Sequence, residues 1–176
     1  MNWKGCLLPL ALPLSVLVIG SWHLAVLERS PSSQPALSGA AQDLGPDFAQ
    51  APPGTYPTWH DDPALADLLL AEGRRLGITV KAGQPELLGK DATYRAEHGR
   101  LGSITIKQRP MSPEVRCMLI SHEFIHVLQH LQGDLRGVPP LGWTTNHPDP
   151  IPQEAEAYGH QHRAGYVLSL LQATPR

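Results

Sequence analysis

Two histidines spaced four residues apart, with a glutamate directly after the first, restrict the fold of this chain more than any other feature. The three residues are His122, Glu123 and His126, in an H-E-x-x-H arrangement. Residues four apart on a helix lie on one face about one turn apart, so both imidazoles can reach a single ion. The carboxylate of Glu123 then lies beside that ion, where it can accept a proton from a metal-activated water. The arrangement predicts a helix that carries a zinc site.

The amino-terminal residues predict export or membrane anchoring. Residues 5–27 contain no Asp, Glu, Lys or Arg, are rich in Leu, Val and Ala, and follow Lys4. This length can cross a bilayer, with Lys4 keeping the amino terminus in the cytoplasm. The small or permissive residues at 18–20 also suit cleavage by signal peptidase. We assign residues 1–29 to a signal anchor or a signal peptide, which places the globular part outside the cytoplasm.

The next segment, residues 30–60, predicts a flexible linker. It is rich in Pro, Ser, Ala and Gly and has few large apolar side chains, so it cannot bury enough surface to offset the loss of chain entropy. Tyr56 and Trp59 are expected to pack at the edge of the domain. The remaining residues, 61–176, suit one domain of ordinary size.

Composition argues against a nucleic-acid-binding surface and against a disulfide. The net charge is -2, the isoelectric point is near 6.5, and no cluster of basic residues is present, whereas nucleic-acid-binding domains show a clustered basic excess. Cys6 lies in the leader and Cys117 alone lies in the domain, so no bridge can join folded parts. Cys117 is expected to be a small buried residue.

The first half of the domain predicts one helix and a small sheet. A cap-and-proline pattern at residues 61–63 opens a helix that runs to Gly77. Residues 78–81, 92–96 and 101–107 have the β-branched or alternating character of strands, and the His98-Gly99 pair between the last two suits a hairpin tip. We therefore expect an antiparallel sheet.

The second half predicts two helices around an irregular loop. Ser112 followed by Pro113 opens the H-E-x-x-H helix, and Gly133 can close it. Residues 137–152 hold five prolines and predict a loop. Residues 153–172 then predict a third helix. The expected fold class is α+β, with the sheet packed on the H-E-x-x-H helix between a first helix and a carboxy-terminal helix.

A zinc site needs a third protein ligand. His130 lies about 12 Å along the helix axis from His122, which is too far for one ion. The longer motif that ends in a third histidine would need it at position 132, which is Gln132. The third helix offers Glu154, which flanks the apolar stripe, and Glu156, which falls on the opposite side. We expect Glu154 to be the ligand and Glu156 to favour the amino terminus of that helix electrostatically.

These two motifs resemble those of the gluzincin type of zinc metallopeptidase, and in particular its compact members, in which H-E-x-x-H is followed by E-x-x-A on a later helix. His122, Glu123 and His126 match the first motif, and residues 154–157 match the second. The resemblance covers residues 104–166. It implies a zincin-like fold with a strand along the cleft, an active-site helix and a ligand helix. It also implies that the strand at residues 103–107 binds an extended substrate by edge pairing.

The predicted function is zinc-dependent hydrolysis of peptide bonds. Glu123 takes a proton from the metal-activated water and returns it to the leaving amine. The oxyanion needs a further hydrogen-bond donor, for which the candidates are Tyr158, His147, His160 and His162. The expected partners are a peptide or protein substrate and, through the amino-terminal segment, the membrane. Two alternatives share the zinc site: a non-catalytic, membrane-tethered zinc-binding protein, and a zinc amidase acting on cell-wall peptide.

Overall fold

A computed structural model describes residues 48–176 of the 176-residue chain, and these residues form an α+β fold. Its elements are α1 (Leu65–Arg75), β1 (Thr79–Ala82), β2 (Ala92–Glu97), β3 (Arg100–Ile106), α2 (Pro113–Gln132), α3 (Pro152–His160) and α4 (Ala164–Ala173). The expected signal segment and the first part of the expected linker, up to residue 47, lie outside the described residues. Within residues 48–176, no helix is both long and apolar enough to cross a membrane.

The three strands form a mixed sheet in the order β1-β3-β2. β2 and β3 pair antiparallel through the expected hairpin, with Gly99 at its tip at a φ of 75°. β1 pairs parallel with β3, with Thr79 opposite Ser103. The expectation of a wholly antiparallel sheet is therefore wrong for β1. The chain reverses twice between these strands, once through residues 83–91 and once at the hairpin, so β3 runs in the direction of β1.

Helix α2 is the central element of the fold. It begins as the sequence predicts, because the Ser112 hydroxyl accepts a hydrogen bond from the Val115 amide at 3.2 Å, and it ends at Gly133. Every residue from Ile120 to His130 is buried. The helix contacts α1, α3, α4 and two strands. A helical stretch that is buried all round holds its polar side chains in fixed surroundings, which suits a functional site.

The apolar core lies where α1 and α4 pack on α2. Phe124 is fully buried in it, and Gly73 of α1 allows close approach, since a Cβ there would lie 2.5 Å from the Phe124 ring. Cys117 is buried, as expected, and forms no disulfide among the described residues. Burial raises the pKa of its thiol to about 11. Cys117 is therefore a packing residue with an inert thiol.

The expected third helix is two helices, α3 and α4. The chain leaves the helical conformation at Arg163, which has a φ of -97° and a ψ of 41°. The Arg163 guanidinium donates a hydrogen bond of 2.6 Å to the carbonyl of Ala51. The break allows α3 to pack on α2 while α4 packs on both α1 and α2. A tertiary contact of this kind has no local signal in the sequence.

Residues 48–60 pack on the domain, so the boundary expected after residue 60 lies too late in the chain. Phe48 is 4% exposed, and its carbonyl accepts a hydrogen bond of 2.7 Å from the Trp143 indole. Tyr56 packs its ring 5.0 Å from that of Tyr166, in line with the expected edge contact. The segment is held by its backbone carbonyls and a few aromatic contacts. Backbone carbonyls are present in every residue, so the number of apolar side chains in a segment does not indicate such an attachment.

Candidate metal centre

Three side chains from two helices meet at one point. His122 and His126 come from α2, and Glu154 comes from the first turn of α3. The two Nε2 atoms lie 3.2 Å apart, His122 Nε2 lies 3.5 Å from Glu154 Oε2, and His126 Nε2 lies 3.3 Å from the other oxygen, Oε1. Two atoms bound to one zinc ion at about 2.05 Å and at the tetrahedral angle are about 3.3 Å apart. Each of the three distances is close to that value, and one donor atom from each residue lies within 4.8 Å of the others, so the group can hold a metal ion.

The electrostatics of this group also suit a cation. Glu154 Oε2 is buried and has no hydrogen-bond partner in the part of the chain that the structure describes. The neighbouring imidazoles of His122 and His126 hold the pKa of the Glu154 carboxyl well below its usual range. A buried carboxylate oxygen without a hydrogen bond costs free energy. A metal ion at the centre of the group would satisfy it.

Glu123 lies beside this group and is held by the sheet. Its Oε2 accepts a hydrogen bond of 2.6 Å from the backbone amide of Tyr94 in β2. The residue is 4% exposed, and burial raises the pKa of its carboxyl, although the charges of His122 and His126 and the Tyr94 hydrogen bond oppose the rise. A carboxylate with a raised pKa accepts a proton more readily than one in water.

A cavity of about 390 Å³ opens next to the three ligands and Glu123. Tyr158, one of the four expected donors, lines it. The exposed ring of His147 stacks on Tyr158 at 4.8 Å but does not line the cavity. His160 and His162 line a separate cavity.

The expected role of His160 as an oxyanion donor is therefore not supported by its position. Its Nε2 lies 3.0 Å from the carbonyl oxygen of Thr144, and its ring packs 5.2 Å from that of Trp143. Burial lowers the pKa of the imidazole. His160 packs against the loop between α2 and α3. It is one of four candidates that the sequence leaves open, and it lines a cavity separate from that of the ligands.

Lys90 is a cavity residue that sequence reasoning missed. It lies just before β2, and its Nζ is 2.7 Å from the Tyr158 hydroxyl and 3.7 Å from Glu154 Oε2. The hydrogen bond to Tyr158 raises the pKa of the Lys90 ammonium group. A single lysine in a loop is usually solvated, and no motif marks this one. Only the folded chain brings it to the ligands.

The strand at the cavity is not the expected one. Residues 103–107 fall largely in β3, which is the central strand and is paired on both edges. Strand β2 is the edge strand on the cavity side, and four of its residues line the cavity: Ala92, Thr93, Tyr94 and Ala96. Any pairing of a substrate with the sheet at this site would therefore use β2.

The position of Glu156 also differs from the expectation. The helical wheel put it on the outer side of the third helix, but the residue is 2% exposed. Its carboxylate accepts hydrogen bonds from the loop between α2 and α3, through the backbone amides of Leu141, Gly142 and Trp143, each at 2.7 Å. Residues 137–151 fold over that side of α3, which a wheel for one helix cannot show.

No protein-family model, curated protein or solved structure matches this chain. The site itself brings together a set of nitrogen and oxygen donors spaced for one ion, a buried carboxylate with a raised pKa, and an adjoining cavity with hydrogen-bond donors. This combination can bind a metal ion and place a base next to it.

Proposed function

We propose that this chain is a zinc-dependent hydrolase of peptide bonds with a zincin-like, gluzincin-type site. His122, His126 and Glu154 hold the ion, and Glu123 is the general base. The observation that carries the proposal is the spacing of the three donor groups at 3.2, 3.3 and 3.5 Å, with Glu123 buried beside them. Two imidazoles and one carboxylate form a donor set found in catalytic zinc sites, which keep a fourth position for water or substrate.

Glu123 is suited to move a proton. When bound, zinc supplies a Lewis acid that polarises a carbonyl group and makes water more acidic. The Tyr94 amide holds one oxygen of Glu123 at 2.6 Å, so the carboxylate is fixed in orientation towards the cavity that it lines. It can take a proton from water and deliver it to the leaving amine. Burial raises the pKa of the Glu123 carboxyl, which favours its acceptance of a proton.

Tyr158 is suited to stabilise the developing oxyanion. The Lys90 ammonium has three donors and no acceptor, so the Tyr158 oxygen accepts the hydrogen bond between them. The hydroxyl hydrogen of Tyr158 is then directed to another acceptor. A carbonyl oxygen of a substrate in the cavity can fill that role. The positive charge of Lys90 makes the Tyr158 hydroxyl a stronger hydrogen-bond donor.

A peptide is the substrate class that β2 supports. The amide of Tyr94 points away from β3, because it donates to Glu123. In an antiparallel pair, amide and carbonyl groups alternate between the partner strand and the open edge. The outer edge of β2 therefore presents backbone groups along the cavity, where an extended peptide can pair with them.

The test compares the full-length protein with Glu123→Gln. The amide keeps the shape of the side chain but cannot accept a proton, so we expect one zinc per chain in both proteins and a loss of hydrolysis of about 10²-fold or more in the variant. Glu114→Gln is the matched control, since Glu114 lies in the exposed first turn of the same helix. Casein and a library of quenched fluorescent peptides serve as substrates.

Two results would contradict this proposal. One is full hydrolysis by zinc-loaded Glu123→Gln, and the other is a wild-type protein that binds no zinc after dialysis against a weak chelator. Cell-wall muropeptides tested in parallel distinguish the amidase alternative. The cavity and the buried Glu123 support an enzyme over a non-catalytic zinc protein, which has no use for a base. We also propose that residues 1–29 export or tether the domain outside the cytoplasm.

A further inference from the structure

A buried glutamine lies between the candidate metal ligands and the loop that follows α2. Gln129 is 0% exposed and lies one turn after His126 on the same helix. Its Oε1 is 2.7 Å from His126 Nδ1, and its Nε2 is 2.8 Å from Glu156 Oε2 and 3.0 Å from the carbonyl oxygen of Gln153. The three contacts use both ends of the amide.

The partners of Gln129 fix its orientation. A carboxylate oxygen and a backbone carbonyl can only accept hydrogen bonds, so the NH₂ group of Gln129 must face Glu156 and Gln153. The amide oxygen then faces His126, and because it can only accept, His126 must carry a hydrogen on Nδ1. The lone pair of a neutral His126 is therefore on Nε2. That nitrogen is the one that faces His122 and Glu154.

The Glu156 carboxylate is held in place by four hydrogen bonds. Its Oε2 accepts from Gln129 and from the Leu141 amide, and its Oε1 accepts from the amides of Gly142 and Trp143. Four donors thus surround a carboxylate that is 2% exposed. The side chain has no freedom to turn without leaving donors unpaired in the interior. It also lies on the same helix as Glu154, two residues further along.

We propose that Glu156 is a positioning residue of the metal centre. It holds the Gln129 amide in the one orientation that presents Nε2 of His126 as a ligand, and it ties the loop at residues 141–143 to the same set of hydrogen bonds. The inference rests on the proposed zinc site. Without this arrangement His126 can carry its hydrogen on Nε2, where it points at the other ligands and blocks coordination.

Two variants of the full-length protein test the proposal through zinc affinity, measured by competition with a chromophoric chelator. Gln129→Met removes the contact to His126, and Glu156→Gln places an NH₂ group among donors. We expect each to weaken zinc binding by about 10- to 100-fold, the usual effect of losing a partner of a ligating histidine.

A second measurement does not depend on metal. In the metal-free protein, at a pH where the His126 ring is neutral, ¹⁵N NMR is expected to show the hydrogen on Nδ1 for the wild type and a mixture of both forms for Gln129→Met. Thr145→Ala is the control for a general effect of the loop. It removes a loop contact to α3, the 3.3 Å hydrogen bond to the Ala155 carbonyl, and leaves Gln129 and Glu156 intact. Its zinc affinity is expected to equal that of the wild type.

The proposal is overturned if folded Gln129→Met binds zinc as tightly as the wild type, or if Thr145→Ala loses as much affinity as Glu156→Gln. If Glu156→Gln does not fold, the zinc affinity of Gln129→Met and the position of the His126 ring hydrogen test the proposal. A wild-type protein that binds zinc but cleaves no peptide leaves this test intact. A wild-type protein that binds no zinc contradicts the proposed function, and the ring hydrogen of His126 still decides whether Gln129 sets its orientation.

Discussion

The ammonium group of Lys90 donates a hydrogen bond of 2.7 Å to the hydroxyl oxygen of Tyr158. The Tyr158 ring also packs 4.4 Å from that of His122 and 4.8 Å from that of His147. The phenol is thus fixed by a ring contact to a candidate metal ligand and by a cation from the loop before β2. A donor held in this way needs no reorganisation when charge develops on a substrate.

We therefore expect Tyr158→Phe to lower kcat by about 10²- to 10³-fold while zinc affinity stays unchanged, because the ring remains and only the donor is lost. Lys90→Met is expected to give a smaller loss in the same direction. Lys81→Met, in exposed β1, is the control. Steady-state kinetics with zinc analysis of each variant makes the comparison. Full activity of Tyr158→Phe would exclude the phenol as the donor.

Phe48 is expected to contribute strongly to stability, although it lies in a segment with the composition of a linker. Its side chain is 4% exposed within the core cluster. Replacing a buried phenylalanine with alanine costs about 3–5 kcal/mol, so Phe48→Ala should lower the free energy of unfolding by that amount. Urea unfolding of the full-length protein measures it. Leu88→Ala, at a residue that is 99% exposed, should change little. Equal stability of Phe48→Ala and wild type would show that residues 48–60 are not part of the domain.

Zinc affinity is expected to depend on pH through His126. Burial opposes protonation of this imidazole, but its hydrogen bonds with Glu154 and Gln129 outweigh burial and raise its pKa. An imidazole is neutral above its pKa, and only the neutral ring binds a metal. Lowering the pH therefore protonates His126 and weakens zinc binding, starting at a higher pH than for an ordinary histidine. Competition titrations between about pH 5 and pH 9 test this. An affinity that stays constant down to about pH 6 would contradict it.

Features with a local cause could be predicted from the sequence. The start of α2 follows from Ser112 and Pro113, and the β2–β3 hairpin follows from the glycine at its tip. The meeting of His122 and His126 follows from a spacing of four on one helix. The cluster contains Glu154 and not Glu156, as expected, although the helical wheel behind that choice assumes one continuous helix and puts the buried Glu156 on its outer side.

Features with a tertiary cause could not be predicted. Lys90 reaches the cavity only because residues 83–91 carry the chain to the outer edge of the sheet. Nothing in the sequence distinguishes Gln129 from other polar residues on a helix. Its position depends on a hydrogen bond to Glu156, which the helical wheel puts on the outer side of the third helix although it is buried. The contacts of Gln129 and Glu156 depend on how the loop between α2 and α3 folds, and residues 137–151 have no periodic pattern that fixes this path. The parallel pairing of β1, like the position of Lys90, depends instead on the path of residues 83–91.

The candidate ligands come from two helices, His122 and His126 from α2 and Glu154 from α3. An ion shared by His126 and Glu154 would close the intervening segment into a ring, as a disulfide does between its cysteines. Among the described residues Cys117 is the one cysteine, and it forms no disulfide, so coordination is the cross-link open to this part of the chain. The supply of metal ions would then set how firmly α3 is fastened to α2.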